Sequence, residues 1–122
     1  MHIELFNKEQ GIYVFQLNQN NYIKFCPERG GVITNWVSDG KEILYFDENR
    51  FMDKTKSIRG GIPILFPICG NLNTSLSVFG KDYLPLMQHG FARDLKWQYC
   101  FDENEKNLSL FLNESKTTKK YY

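Results

Sequence analysis

Long apolar runs are missing from this 122-residue sequence. None approaches the roughly 20 residues that cross a bilayer, and the opening MHIELFNKEQ lacks both the basic start and the apolar stretch of a signal peptide. The expectation is a cytoplasmic protein with no membrane partner. Excess charge of one sign is missing too: fifteen Lys and Arg stand against fourteen Asp and Glu, a formal net charge of +1. Bulk electrostatics therefore recruits neither nucleic acid nor an anionic surface, and any bound anion has to be held locally. Cysteine is sparse. Cys26, Cys69 and Cys100 are odd in number and have no CxxC spacing, which argues against a disulfide framework or a zinc site and predicts reduced, mostly buried thiols. No G-x-S-x-G, HExxH, Walker loop or GxGxxG occurs, and Gly60-Gly61 lacks the spacing of a phosphate loop. Matches to N-x-[ST] at Asn73, Asn107 and Asn113 carry little weight without a secretory signal.

Sustained helical periodicity is the last absence, and strand signals take its place. GIYVFQL and NYIKFC are rich in β-branched and aromatic residues, with the polar cluster NQNN as the turn between them. PERGG breaks the chain before VITNWV, and SDGKE, before EILYF, holds the Asp39-Gly40 pair favoured in tight hairpins. This spacing predicts an antiparallel meander of the kind found in sandwiches and barrels. The 42% hydrophobic and 16% aromatic content suffices for a core. The polar stretch Asp47 to Ser57 reads as a surface loop, and Asn71 to Met87 as a long site-forming loop with room for a helical turn. KWQYCF and LSLFLN, joined by DENEKN, read as a hairpin. The final SKTTKKYY reads either as a solvated tail or as the start of a further strand. Most of the aromatic residues, Trp36 and Trp97 among them, are expected in the core, with a sugar platform as the alternative.

Two segments are shaped for something besides core. RGGIPILFPICG, Arg59 to Gly70, interrupts its apolar residues with three glycines and two prolines, which excludes both a helix and an ordinary central strand. QHGFAR, Gln88 to Arg93, joins a glycine turn and an aromatic to polar groups. The candidate site residues are Arg59, Gln88, His89 and Arg93. Two guanidinium groups in one loop system can grip a phosphate or carboxylate through paired charge-assisted hydrogen bonds, and the glycines let the backbone close in. The competing reading makes Arg59 and Arg93 surface ion pairs with residues such as Asp94 or Asp53. His89 is likewise either a structural hydrogen-bonder or a proton-transfer group.

Together, RGGIPILFPICG and LPLMQHGFARDLKW, in this order and spacing, resemble the galactose mutarotase-like superfamily and, within it, the glucose-6-phosphate 1-epimerase (hexose-6-phosphate mutarotase) branch of the aldose 1-epimerases. PERGGVITNWVSDGKEILYF is similar to that family's early strands. The resemblance runs from about Tyr22 to Trp97. It implies an all-β, antiparallel supersandwich, here apparently incomplete, with residues 1–122 forming the amino-terminal part of a single domain without an internal boundary. It also implies that Arg59, Gln88 and Arg93 bind substrate, the arginines at a sugar phosphate, while His89 assists. No metal or organic cofactor is implied.

Mutarotation opens an aldose ring by removing the anomeric hydroxyl proton and protonating the ring oxygen, and it exchanges these roles on closure. The family's acid/base pair is a histidine and a glutamate further along than this chain extends, and His2 and His89 are its only histidines. The expectation is a mutarotase portion lacking its main acid/base pair. Its partners would be a sugar or sugar phosphate and, through open strand edges, other copies of itself. The rivals are a non-catalytic sugar-phosphate-binding module and a structural or interaction β domain.

Overall fold

The computed structural model describes residues 1–121. Its main element is a five-stranded antiparallel sheet in sequence order: β1 (His2–Asn7), β2 (Ile12–Asn18), β3 (Asn21–Cys26), β4 (Val32–Ser38) and β5 (Lys41–Glu42). The expected tight turn is present: Asp39 (φ 49°) and Gly40 (φ 76°) both adopt the left-handed conformation that a two-residue hairpin demands. Two further hairpins follow, β6 (Ser77–Val78) with β7 (Lys81–Asp82), and β8 (Gln98–Asp102) with β9 (Asn107–Phe111). The protein is all-β and antiparallel, and the sheet does not close into a barrel.

Each face of the sheet has its own cover. In β2, Ile12 and Val14 are buried on one side while Tyr13 and Phe15 point to the other, the period-2 alternation of a strand clad on both faces. On the first side Ile12, Cys26 and Val32 pack around Phe51, with Phe46 and Ile58 beside them. On the second side the β8–β9 hairpin lies across the sheet: Tyr99 meets Tyr13 at 5.0 Å and Phe25 at 5.5 Å between ring centroids, and Phe101 meets Phe15 at 5.5 Å.

Several expectations need correction. The amino terminus, which no strand signal marked, is β1, an edge strand paired with β2. EILYF continues as strand for little more than Glu42; beyond it an isolated bridge joins Phe46 to Gly60. Asp47 to Ser57 is more than a surface loop, because Glu48–Met52 forms helix α1, capped by the Asp47 carboxylate on Arg50 N–H, and Phe51 is 0% exposed. One aromatic at the right turn of a short helix outweighs the polar composition around it. Asn71 to Met87 holds the β6–β7 hairpin and no helix. At the other end Thr118–Tyr121 forms α2, with Thr118 buried and hydrogen-bonded to Ser115, in place of a solvated tail or a strand start; Tyr122 lies outside the described residues. Of the thiols, only Cys26 is buried, while Cys69 and Cys100 are exposed. Trp36, on the same face as Ile23, stays 45% exposed.

Candidate functional site

The Arg59–Gly70 segment runs along the main sheet without joining it as a strand. It touches the sheet through short exchanges instead. Asp47 N–H donates to Arg59 O at 3.0 Å, Gly61 N–H donates to Tyr45 O at 2.8 Å, and Ile33 and Ile62 exchange both hydrogen bonds at 3.1 and 2.8 Å. Gly60 is required here: at φ +84° a Cβ would stand 2.2 Å from Tyr45 O. The glycines that spoil the segment as a strand are what let it lie this close to its neighbour.

Its far half is stitched to the Gln88–Arg93 segment. Phe66 bridges Gly90, and Phe91 N–H and Ala92 N–H both donate to Phe66 O, at 3.0 and 3.2 Å. His89 and Gly70 form a reciprocal pair, His89 N–H donating to Gly70 O at 2.7 Å and Gly70 N–H donating to His89 Nδ1 at 2.8 Å. His89 itself has φ 66°, a left-handed conformation uncommon among residues other than glycine. With Nδ1 accepting from the main chain, the neutral ring carries its proton on Nε2. Gly90 closes the junction, since a Cβ there would meet Phe66 O at 2.2 Å.

Arg93 follows in a short 3-10 turn, Ala92–Asp94. Its Nη2 donates to Gln88 O at 3.2 Å, Asp94 Oδ2 lies 3.9 Å from its Nε, and that buried Nε has no hydrogen-bond partner. The turn is anchored from the opposite side by the PERGG bend: Gly30 N–H donates to Leu95 O, Trp97 N–H donates to Pro27 O, and the Trp97 indole donates to Ala92 O, each at 2.8 Å. Three stretches far apart in sequence thereby fix the position of Arg93.

Arg93 opens onto a cleft of about 460 Å³ whose walls include Arg29, Gly30, Lys54, Lys56, Gly60 and Pro63. Arg59 lies at the rim of this region in sequence, between the lining residues Ile58 and Gly60, but its own side chain is exposed and reaches the Ile58 carbonyl at 3.5 Å. Gln88, His89 and Arg93 are thus held on one tied backbone stretch, and of the four candidates only Arg93 lines the cleft. Asp53, a candidate ion-pair partner for the arginines, instead holds Lys56 at 3.3 Å. Arg29, Lys54 and Lys56 were not singled out in the sequence. Their signal, three cations within a bend and a polar stretch, is indistinguishable in one dimension from a solvated surface. Among the described residues no group of three or more His, Cys, Asp or Glu is placed to hold a metal ion.

No family model matches the chain. It is 38% identical over 69 residues to a Cenchrus ciliaris protein named "Putative glucose-6-phosphate 1-epimerase", a stretch covering 56% of this chain and 18% of that protein. It is 31% identical over 98 residues to a Salmonella typhimurium protein of the same name, covering 77% of this chain and 30% of the relative. Among solved structures, the Slr1438 protein of Synechocystis sp. PCC 6803 superposes with a TM-score of 0.76 at 43% identity, covering 89% of this chain and 38% of that one. A mutarotase of Salmonella typhimurium, YeaD, described as putative, gives 0.65 at 26% identity, covering 91% and 35%. The chain therefore spans about a third or less of the length of these curated relatives. Over that span, by sequence likeness across 77% of its residues and by a shared antiparallel fold, the chain resembles the glucose-6-phosphate 1-epimerase family of mutarotases.

Proposed function

We propose that this chain carries the substrate-gripping part of a hexose-6-phosphate 1-epimerase, forming the amino-terminal part of a single β-sandwich, with the main proton-transfer pair outside its residues. Arg93 and Arg59 receive the phosphate, Gln88 contacts the sugar, and His89 assists as a fixed donor. The observation that carries this reading is the joining of the two glycine-rich segments, in which the reciprocal His89–Gly70 pair and the Arg93–Gln88 bond set three candidate residues on one backbone frame. With Nδ1 occupied by Gly70 N–H, His89 offers an Nε2–H to a sugar oxygen. That suits holding the ring while another group moves the proton. The second supporting feature is Arg93, which lines the cleft: a planar guanidinium can meet a phosphate with two parallel bonds, as an ammonium cannot. A doubly charged hexose phosphate does not cross a bilayer unaided, so the reading goes with a cytoplasmic protein. No described helix is long and apolar enough to cross a membrane.

The test is binding and anomer exchange of freshly dissolved α-glucose 6-phosphate, followed by NMR with and without the chain. We expect binding that Arg93→Lys weakens, and exchange near the uncatalysed rate, because a missing acid or base forfeits typically 10²–10⁴-fold. Exchange well above buffer that His89→Ala abolishes would overturn the assignment of the proton-transfer pair elsewhere. Failure of the sugar phosphate to bind would overturn the reading as a whole.

A further inference from the structure

The main sheet has one covered edge and one bare one. On the β4 side, Ile33 exchanges hydrogen bonds with Ile62, the Glu42 carboxylate and Ile43 N–H take up the Trp36 main chain, and β5 pairs Val37 and Ser38. β1 is different. It pairs β2 on its inner side, and among the described residues no backbone N–H or C=O of residues 2–5 is hydrogen-bonded outside that ladder. An outer row of donors and acceptors along a regular strand is a template for another strand. The devices that usually blunt such an edge are absent: His2–Leu5 contains neither proline nor lysine, and the register irregularity falls only after Leu5. Met1, Leu5 and Phe6 are exposed beside it.

Pairing of this edge with its own copy selects a register. Directly opposite residues share a face of the sheet, so a two-fold axis through the pair passes between one residue and the same residue of the second copy. With Glu4 on the axis, two carboxylates would stand opposite each other, which is destabilising. With Leu5 on the axis, the ladder would run into the irregularity beyond it. With Ile3 on the axis, His2 faces the partner's Glu4, Glu4 faces the partner's His2, and Met1 faces the partner's Leu5. Within one strand His2 and Glu4 already share a face, where they make only an exposed contact at 4.0 Å. Across the axis they become direct neighbours, an imidazole N–H against a carboxylate, twice over. Ile3 and Leu5 lie on the other face beside Phe15 and Tyr13, so the apolar layer beneath the β8–β9 hairpin continues into the second copy.

We infer that β1 is a dimerisation edge, through which two copies of this chain join β1 to β1, antiparallel and centred on Ile3, into one continuous sheet. The contact is isologous, so assembly stops at two. A net charge of +1 sets little bulk repulsion between the copies. The inference is independent of the sugar-phosphate reading, since β1 contributes no residue to the cleft at Arg93.

Sedimentation equilibrium over a wide concentration series gives the dimer dissociation constant of the unaltered chain, of Glu4→Arg and of His2→Glu/Glu4→Arg. Both positions are exposed, so circular dichroism of the variants should match that of the parent. Glu4→Arg replaces an acceptor by a cation at both cross-strand pairs and is expected to weaken the dimer about tenfold or more. The double variant restores opposite charges across the axis and should recover the affinity. Hydrogen exchange of the unaltered chain, which needs no variant to fold, should show amides in residues 2–5 gaining protection as the concentration rises. A chain that stays monomeric throughout overturns the inference, as does association that grows beyond two. A dimer that Glu4→Arg leaves unaltered, that the double variant does not restore, or whose newly protected amides lie in β8 or β9 overturns it as well.

Discussion

Glycine 90 shows at the scale of one residue why the two motif segments look as they do. It lies at φ +71°, and a Cβ there would meet Phe66 O at 2.2 Å and Phe66 C at 2.6 Å, so neither the backbone conformation nor the space admits a side chain. Gly80, in the β6–β7 turn, has a similar φ of +76° but nothing within 4 Å of its hypothetical Cβ. The pair separates conformational strain from collision. Gly80→Ala should cost about 1–2 kcal/mol, the left-handed penalty alone. Gly90→Ala should cost clearly more, because the Phe66 carbonyl belongs to a backbone that must move and would carry the Gly70–His89 pair with it. Chemical denaturation of both variants measures the difference; equal losses would show that the Phe66–Gly90 junction gives way freely.

Helix α1 shows at the scale of an element how little sequence is needed to cover a sheet face. Its five residues cannot be helical in isolation, since a single turn does not recover the entropy of nucleation. Tertiary packing keeps it in place: Phe51 enters the cluster of Ile12, Cys26 and Val32, and Asp47 caps the amino-terminal turn. The same insertion holds the cleft loop, because Arg29 stacks on Phe51 and donates to the carbonyls of Phe51 and Lys56. Phe51→Ala should therefore cost about 3–5 kcal/mol, the range for deleting a buried phenylalanine ring. It should also speed amide exchange in residues 53–57, because the ring on which Arg29 stacks is lost and the clamp is weakened. Thermal unfolding and hydrogen exchange report these two effects, and slow exchange in that loop after the ring is lost would show that the loop is ordered independently of α1.

At the scale of the whole molecule, two layers meet through aromatic rings. The β8–β9 hairpin is joined to the main sheet by Tyr99 and Phe101, and Tyr99 makes the joint sensitive to base. Burial pushes the Tyr99 phenol above its ordinary value of 10.0, and the neighbouring Tyr13, by charge and by hydrogen bond, pushes in the same direction. The folded-state value thus exceeds the unfolded one. The contribution to stability is fully present below pH 10.0 and is lost as the pH rises through the raised folded value. Stability should fall over that alkaline window, and Tyr99→Phe should flatten the fall. A Tyr99→Phe protein with an unaltered alkaline profile would show that the loss arises elsewhere.

Local chemistry was legible in the sequence wherever it acts over a few residues. The alternating strands β2 to β4, the Asp39-Gly40 turn, the β8–β9 hairpin and the composite of RGGIPILFPICG with QHGFAR each depend on neighbours along the chain. These features marked an antiparallel β protein, the family resemblance and the segments proposed to carry the site. What the sequence did not carry was decided by contacts between distant residues. Glu48–Met52 became a helix because Phe51 found a pocket made by β2, β3 and β4, and Thr118–Tyr121 became α2 where a solvated tail or the start of a strand had been the two readings. Arg93 found its position from Gly30, Phe66 and Gln88 together, and the cationic lining of its cleft arose when the Lys54–Lys56 loop was clamped by Arg29. Burial and local potential are sums over all neighbours in space, and only the folded chain determines which neighbours those are.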